Sequence, residues 1–372
     1  MKLVVDRVMV DALAAFEGFG EVALIDGRTL QAADLDDCDI LLVRSVTRVD
    51  QALLANSPVR FVGTATAGTD HIDLNYLQQR GIAFAAAPGC NAQAVGEYVL
   101  ACVLALHAGE TLAGLRCGII GLGHAGSAAA RLLSAAGLAC VACDPPRAAR
   151  EGEAGFVALE AALDADVVSL HVPLTDGGRW PTRDLLGARE IARLRPNAVL
   201  INAARGGVLD ETALTAALRA GRVRAVLDCW MNEPAVDREL LALASIATPH
   251  VAGHAVDARA RGTWQLRDAL AAYLGQPDVN PAPAQTLAAS LSLLGQRGVA
   301  ALSAAVMHCV SPPALSARFR ADTAAHGATA FDRLRAQFGV RREFSAQPVA
   351  LSKGDPDTAR LLQTFGFPVL TI

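Results

Sequence analysis

Arg205, Glu233 and His250 stand far apart in the chain, yet their side chains together suit one kind of reaction. Arg205 closes the run Leu200-Ile201-Asn202-Ala203-Ala204-Arg205, Glu233 lies in Asp228-Cys229-Trp230-Met231-Asn232-Glu233-Pro234, and His250 in Ala247-Thr248-Pro249-His250-Val251-Ala252-Gly253. Taking hydride from a carbon that bears a hydroxyl requires the hydroxyl proton to leave too, to a base that works near neutral pH, and imidazole is such a base. A carboxylate beside the imidazole would orient the ring. A guanidinium would grip a neighbouring carboxylate in a fork and polarise the carbonyl as it forms. Taken singly, each has an ordinary reading: Arg205 as a surface cap, Glu233 as a solvated loop acid, His250 as a satisfied interior histidine. What joins them is position, because each follows an apolar, strand-like run, and strand ends of a parallel sheet share one edge.

The group that would accept the hydride has its own signature. Gly121-Leu122-Gly123-His124-Ala125-Gly126 follows the apolar run 117–120 and opens a helix-like stretch, 127–136. In this G-x-G-x-x-G, Gly121 permits a tight turn, Gly123 lets a pyrophosphate reach the backbone, and Gly126 lets helix and strand pack closely. The next apolar run, 139–143, ends in Asp144. A carboxylate there accepts ribose hydroxyls and repels a 2′-phosphate, so NAD is expected rather than NADP.

These residues need an α/β scaffold. Runs at 2–5, 22–25, 39–43, 61–62 and 82–84 alternate with amphipathic stretches, the pattern of a parallel sheet covered by helices. A nearly all-apolar helix is expected over 91–108, and therefore a buried one. A second strand and helix series fills 117–251, a long helix follows at 257–274, and Gln276-Pro277-Asp278 with Pro281-Ala282-Pro283 reads as a linker. Beyond it, helical patterns near 297–308, 331–338 and 358–364 and strands near 343–351 and 368–372 make a further unit.

Composition narrows the remaining choices. The 372 residues are 52% hydrophobic with a net charge of −4, which fits globular domains and argues against a nucleic-acid partner, since phosphate binding needs a concentrated basic face. The start, Met1-Lys2-Leu3-Val4-Val5-Asp6, breaks its apolar run with charge too early for a signal peptide, and no apolar run long enough to span a membrane is expected; the protein reads as cytoplasmic. Eight cysteines sit mostly within apolar runs, as buried thiols rather than disulfides. Cys140 and Cys143 form a C-x-x-C without a second pair, so no metal is expected.

Taken together, the glycine fingerprint with Asp144, the Asn202-Ala203-Ala204-Arg205-Gly206 segment, Glu233-Pro234 and Pro249-His250-Val251-Ala252-Gly253 resemble the D-isomer-specific 2-hydroxyacid dehydrogenases. The resemblance implies a Rossmann NAD-binding domain (93–255) inserted in a discontinuous, flavodoxin-like substrate domain (1–92 and 256–280), and a small α+β dimerisation domain at 281–372. It implies catalysis by Arg205 and Glu233, with His250 as proton donor. Cofactor contacts are implied for Gly121, Gly123, His124, Ala125, Gly126, Asp144, Val172, Ala203, Ala204, Arg205, Asp228 and Gly253. Substrate contacts are implied for Ser45, Thr66, His254 and Arg44, the substrate being a small phosphorylated 2-hydroxy acid and the assembly a homodimer. The segments Val43-Arg44-Ser45-Val46-Thr47, Cys143-Asp144-Pro145-Pro146-Arg147 and Arg341-Arg342-Glu343-Phe344 carry the likeness beyond the shared core.

Two positions depart from the family pattern. His254 stands where Tyr is usual, and Val172 replaces Thr in His171-Val172-Pro173-Leu174. Two other functions suit the same motifs: a dehydrogenase for a sibling acid such as 3-phosphoglycerate, and a non-catalytic NADH-sensing corepressor. Arg44, Ser45, Thr66 and Arg259 or Arg261 are the candidates for holding a phosphate.

Overall fold

The computed structural model describes residues 1–276 and 281–372, so the expected linker lies, from 277 to 280, outside the described residues. The chain divides into two compact units, one formed by Met1–Asn91 with Val256–Thr286 and the other by Ala92–Ala255 with Leu287–Ile372. The second unit thus takes in most of the carboxyl-terminal segment.

In the first unit, β1 (Lys2–Asp6), β2 (Glu21–Ile25), β3 (Ile40–Val43), β4 (Phe61–Thr64) and β5 (Ala83–Ala85) are all parallel and run in the order β2-β1-β3-β4-β5. This is the flavodoxin-like order. The central strands are mostly apolar because both faces are covered. Leu3, Val5, Ile40, Leu42 and Phe61 face Phe16 and, from the helix Val256–Tyr273, Leu266 and Leu270. Val4, Leu41, Val43 and Val62 face the opposite way, toward Leu35, Leu54 and Leu77. The helix after residue 255 therefore covers one face of the sheet that the first ninety residues build.

In the second unit, β6 (Arg116–Ile120), β7 (Ala139–Cys143), β8 (Val167–Leu170), β9 (Val199–Asn202), β10 (Arg224–Leu227) and β11 (Ile246–Ala247) form a parallel sheet in the order β11-β10-β9-β8-β6-β7. The order reverses between β6 and β8, where such sheets bind ligands. Beyond β7, among the described residues, an isolated parallel bridge joins Ala142 to Phe156. One face of this sheet packs on the helix Ala92–Leu106, buried from Ala94 to Leu104 as its all-round apolar character requires.

The carboxyl-terminal segment adds β12 (Leu291–Ser292), β13 (Val349–Leu351) and β14 (Val369–Thr371), all parallel, with helices Gly298–Cys309, Pro312–His326, Thr329–Gln337 and Pro356–Thr364. The helix Pro312–His326 and β12 were not expected from the sequence. The stretch Gly298–His326 is, against expectation, long and apolar enough by length and composition to cross a membrane. Here it is two helices divided before Pro312, and Ala301, Leu302, Ala305 and Val306 are buried in the core shared with Val95 and Val99. On the other side of the sheet Phe319 meets Trp230 edge-on with ring centroids 6.2 Å apart, and Phe331 meets Phe319 at 5.9 Å.

Candidate active site

The fingerprint turn joins β6 to the helix His124–Ala135. Gly121 adopts φ +87°, the left-handed region, and a Cβ there would press on Val172 and the His171 carbonyl. A Cβ on Gly126 would collide with the Gly121 carbonyl oxygen, whereas one on Gly123 would meet open space. The cradle is thus closed behind and open in front, at a helix amino end whose dipole favours an anion. Asp144 accepts hydrogen bonds from the Leu122 amide (2.7 Å) on Oδ2 and from the Arg147 amide (2.9 Å) on Oδ1. Each oxygen keeps acceptor capacity for a ribose diol. Gly121, Leu122, Gly123, Asp144 and Arg147 border a cleft of about 1090 Å³ that His124 and Val172 also line. Ala125 and Gly126 lie behind it in the helix, while Ala203, Ala204, Arg205, Asp228 and Gly253 lie further along the same sheet edge, after β9, β10 and β11. Burial pushes the His171 imidazole down to about 4, so it is neutral beside this turn.

The three candidate catalytic residues follow β9, β10 and β11. Glu233 and His250 meet directly: His250 Nδ1 lies 2.8 Å from Oε2 and 3.1 Å from Oε1. A carboxylate only accepts, so Nδ1 carries the proton and Nε2 is left as the basic nitrogen. Burial alone would raise the Glu233 pKa, but the hydrogen bond and charge of His250, together with the Trp230 amide (2.9 Å), hold it below the usual range. Arg205 is presented by a turn that Asn202 builds: its Oδ1 accepts from the Ala204 amide (3.1 Å) and its Nδ2 donates to the Arg205 carbonyl (2.9 Å). The guanidinium donates to the Ala204 carbonyl at 2.8 Å. Gly206 then touches the next loop main chain to main chain, since a Cβ there would collide with the Trp230 carbonyl.

His250 is itself left-handed, with φ 55°, unusual for a residue with a side chain. Asp228 holds it so. The Asp228 carbonyl accepts from the His250 amide at 2.8 Å, Oδ1 accepts from the Val251 amide (2.7 Å) and Thr248 Oγ1 (2.7 Å), and Oδ2 accepts from the Ala252 amide (2.9 Å). Thr248 spends its proton on Asp228, so the Tyr98 hydroxyl, 2.6 Å away, donates to Thr248. Trp230 Nε1 donates to the Thr248 carbonyl (2.9 Å). Asp228, expected at the cofactor, is wholly buried with its carboxylate committed to this loop. Asn202, Tyr98, Thr248 and Trp230 were not singled out from the sequence. The partners of the Tyr98, Thr248 and Trp230 side chains lie 18 to 150 positions away, where no local pattern signals them, whereas Asn202 bonds residues two and three positions on. Cys229 Sγ lies within 4.8 Å of ligand atoms of Glu233 and His250, but burial holds its thiol protonated and it donates to the Ala204 carbonyl, a poor set for a cation.

In the first unit, Arg44 follows β3, its Nε 3.1 Å from Oδ2 of Asp6 at the end of β1. Arg259 donates to the Val8 carbonyl at 2.9 Å, and burial, then the charge of Arg44, lowers its pKa. Two guanidiniums thus gather between β1 and β3, the switch point of that sheet. Ser45 is exposed, Thr66 donates to the Gly68 carbonyl (2.8 Å), and Arg261 donates to the Cys90 carbonyl. In the second unit, the His254 amide donates to the Val251 carbonyl (2.8 Å), which keeps that residue on the His250 loop.

Residues 101–252 match the family model for the D-isomer specific 2-hydroxyacid dehydrogenase NAD binding domain. With near-full-length relatives above 40% identity, the chain belongs to the D-isomer specific 2-hydroxyacid dehydrogenases, and its cofactor is NAD. Those relatives include the erythronate-4-phosphate dehydrogenase of Pseudomonas putida (strain W619), 43% identical over 371 residues, 96% of this chain and 97% of the relative. The erythronate-4-phosphate dehydrogenase of Edwardsiella ictaluri is 44% identical, covering 99% of both chains. Among solved structures, the TT0316 protein of Thermus thermophilus has a TM-score of 0.66 at 28% identity and covers 76% of this chain and 100% of its own. A D-lactate dehydrogenase of Aquifex aeolicus, complexed with NAD and lactic acid, shares the fold with a TM-score of 0.65 at 24% identity, covering 74% of this chain and 96% of its own.

Proposed function

We propose that the chain oxidises the C2 hydroxyl of 4-phospho-D-erythronate to (R)-3-hydroxy-2-oxo-4-phosphobutanoate, a step of pyridoxal 5′-phosphate synthesis. The observation that carries the chemistry is the His250–Glu233 pair, a base whose outer nitrogen is fixed by its inner one. The substrate is supported by the likeness, over almost the whole chain, to enzymes named for erythronate 4-phosphate. NAD, when bound, supplies the hydride acceptor. His250 Nε2 takes the hydroxyl proton as hydride leaves C2, and Glu233 stabilises the imidazolium that results. Arg205 grips the substrate carboxylate and polarises the new carbonyl. Arg44 and Arg259 suit the phosphate, with Ser45, Thr66 and His254 as further substrate contacts.

The segment 281–372 is proposed to pair two copies of the chain. Exposed Leu294, Val299, Val340, Leu370 and Ile372 support this reading. Light scattering should give twice the chain mass, and a monomer would end it. For the substrate, the test is NADH formation with 4-phospho-D-erythronate beside 3-phosphoglycerate and D-lactate. The expected result is a much higher kcat/KM for the first. Equal or reversed values overturn the assignment in favour of a sibling acid, and no turnover with any of them favours an NADH sensor.

A further inference from the structure

We propose that Arg341, carried by the carboxyl-terminal segment, is a positioning residue for the His250 loop and acts through the Ala252 carbonyl. The proposal rests on the hydroxyacid-oxidation reading above. Arg341 is buried, 4% exposed, and follows the helix Thr329–Gln337. Its Nη1 donates to the Ala252 carbonyl at 2.8 Å, and its Nη2 donates to the Ala94 carbonyl at 2.7 Å and reaches Glu97 Oε2 at 3.3 Å. One planar guanidinium therefore ties the loop that carries the base to the buried helix Ala92–Leu106.

The place of attachment makes this more than a buried ion pair. Ala252 is gripped through both of its peptide groups, its N–H by Asp228 and its carbonyl by Arg341. Two residues before it stands His250, in a backbone conformation that side chains disfavour and that persists only where surrounding bonds impose it. Directly after it come Gly253 and His254. Asp228 holds only the amide side of the loop. Without Arg341, the plane joining Ala252 to Gly253 is left to the bonds of its neighbours, the His254 amide on the Val251 carbonyl and the Ala255 amide on the Gly253 carbonyl; it turns more readily, and the imbalance is passed back to His250.

Glu97 is the counterpart that keeps the guanidinium in place. It also accepts from the Phe344 amide (3.0 Å) and from Gln93 Nε2 (2.8 Å), and Arg131 in turn donates to Gln93 Oε1 (2.5 Å). The solved neighbours cover about three quarters of this chain while being matched over almost all of their own length. About a quarter of this chain is therefore additional to the shared dehydrogenase fold.

Arg341→Lys separates positioning from bulk structure, because it keeps a charge beside Glu97 but cannot span both carbonyls with one flat group. Phe367→Leu is the comparison. It weakens the Phe344–Phe367 stack, whose centroids are 4.5 Å apart, without touching Arg341. In the full-length protein, Arg341→Lys should speed amide exchange in a peptide spanning 249–254 and lower kcat roughly 10–100-fold with a smaller change in KM. The deuterium isotope effect with 2-deuterated substrate should rise as hydride transfer becomes limiting. Phe367→Leu should lower Tm and leave exchange at 249–254 and kcat near parental values. Parental exchange in Arg341→Lys, or the same exchange and kcat losses in Phe367→Leu, overturns the proposal. The exchange measurement needs no substrate, so it decides the point even if 4-phospho-D-erythronate proves not to be oxidised, an outcome that breaks the substrate reading alone.

Discussion

The two large sheets share a construction and differ in how their carboxyl edges are finished. Both are wholly parallel, both are covered on two faces, and each has a point where strand order reverses. Along the second sheet the charged side chains are spent on the backbone: Asp144 on Leu122 and Arg147, Asp228 on Val251 and Ala252, Glu233 on Trp230. Along the first, Ser45 is exposed and Arg44 and Arg259 cluster around one buried acid, Asp6, so that the charged groups face one another as well as the backbone of Val8. The same architecture thus supports a preorganised edge, which suits the moving proton and hydride, and a less committed one, which suits recognising a ligand.

The sharpest way to break this contrast is at the base. His250→Ala should cut kcat by roughly 10²–10⁴-fold while NADH binding, followed by its fluorescence, stays within a few-fold of the parent. Retained turnover would remove the second sheet's claim to the chemistry. Next comes the support beneath that edge. Burial, eased by Arg341 and worsened by Glu343, raises the Glu97 pKa to about 7. Because this lies above the unfolded value, the folded state binds the proton more tightly; the associated stability is complete below about pH 4.5 and is lost as pH rises through 7. The linked change is about 3 kcal/mol. Denaturant titrations of Glu97→Gln between pH 4.5 and 8 should therefore show a flatter profile than the parent, and an unchanged slope would refute the linkage.

A smaller effect is expected where two loops touch. Gly206→Ala forces the Arg205 and Trp230 loops apart and should cost ~1–3 kcal/mol of stability, with kcat reduced below the unfolding temperature. Unchanged Tm and kcat would mean that the preorganised edge has slack. The mildest change belongs to the first sheet: Arg44→Ala should raise KM for the phosphorylated acid by roughly 10-fold and leave NADH binding alone. An equal rise for unphosphorylated D-erythronate would sharpen the contrast differently, assigning Arg44 to the carbon chain rather than the phosphate.

Much of this was legible beforehand because it is written locally. The strand runs, the nearly all-apolar helix Ala92–Leu106 and the G-x-G-x-x-G turn are each written in one continuous stretch of sequence, and Arg205, Glu233 and His250 could be picked out as polar residues closing apolar runs. Other features were written across distance. Asp228 matched a cofactor position by motif, yet its carboxylate turns inward because three donors of a loop about twenty residues on reach it first. The helix Pro312–His326 was not expected at all, and Pro312 opens it at the position where its missing N–H costs nothing. The strand expected near 343–351 is only Val349–Leu351, since the Phe344 amide is drawn to Glu97 and the backbone turns there instead.

Gly206 sets a limit on what can be redesigned. The interval between the clamp and the base's partner is gauged by one main chain resting on another, with no side chain interposed. Interiors can be refilled with other apolar residues and the gauge still reads the same, because it has no rotamer to change. A new substrate is therefore most readily accommodated by rebuilding loops elsewhere, with the reacting centre carried over as a fixed part.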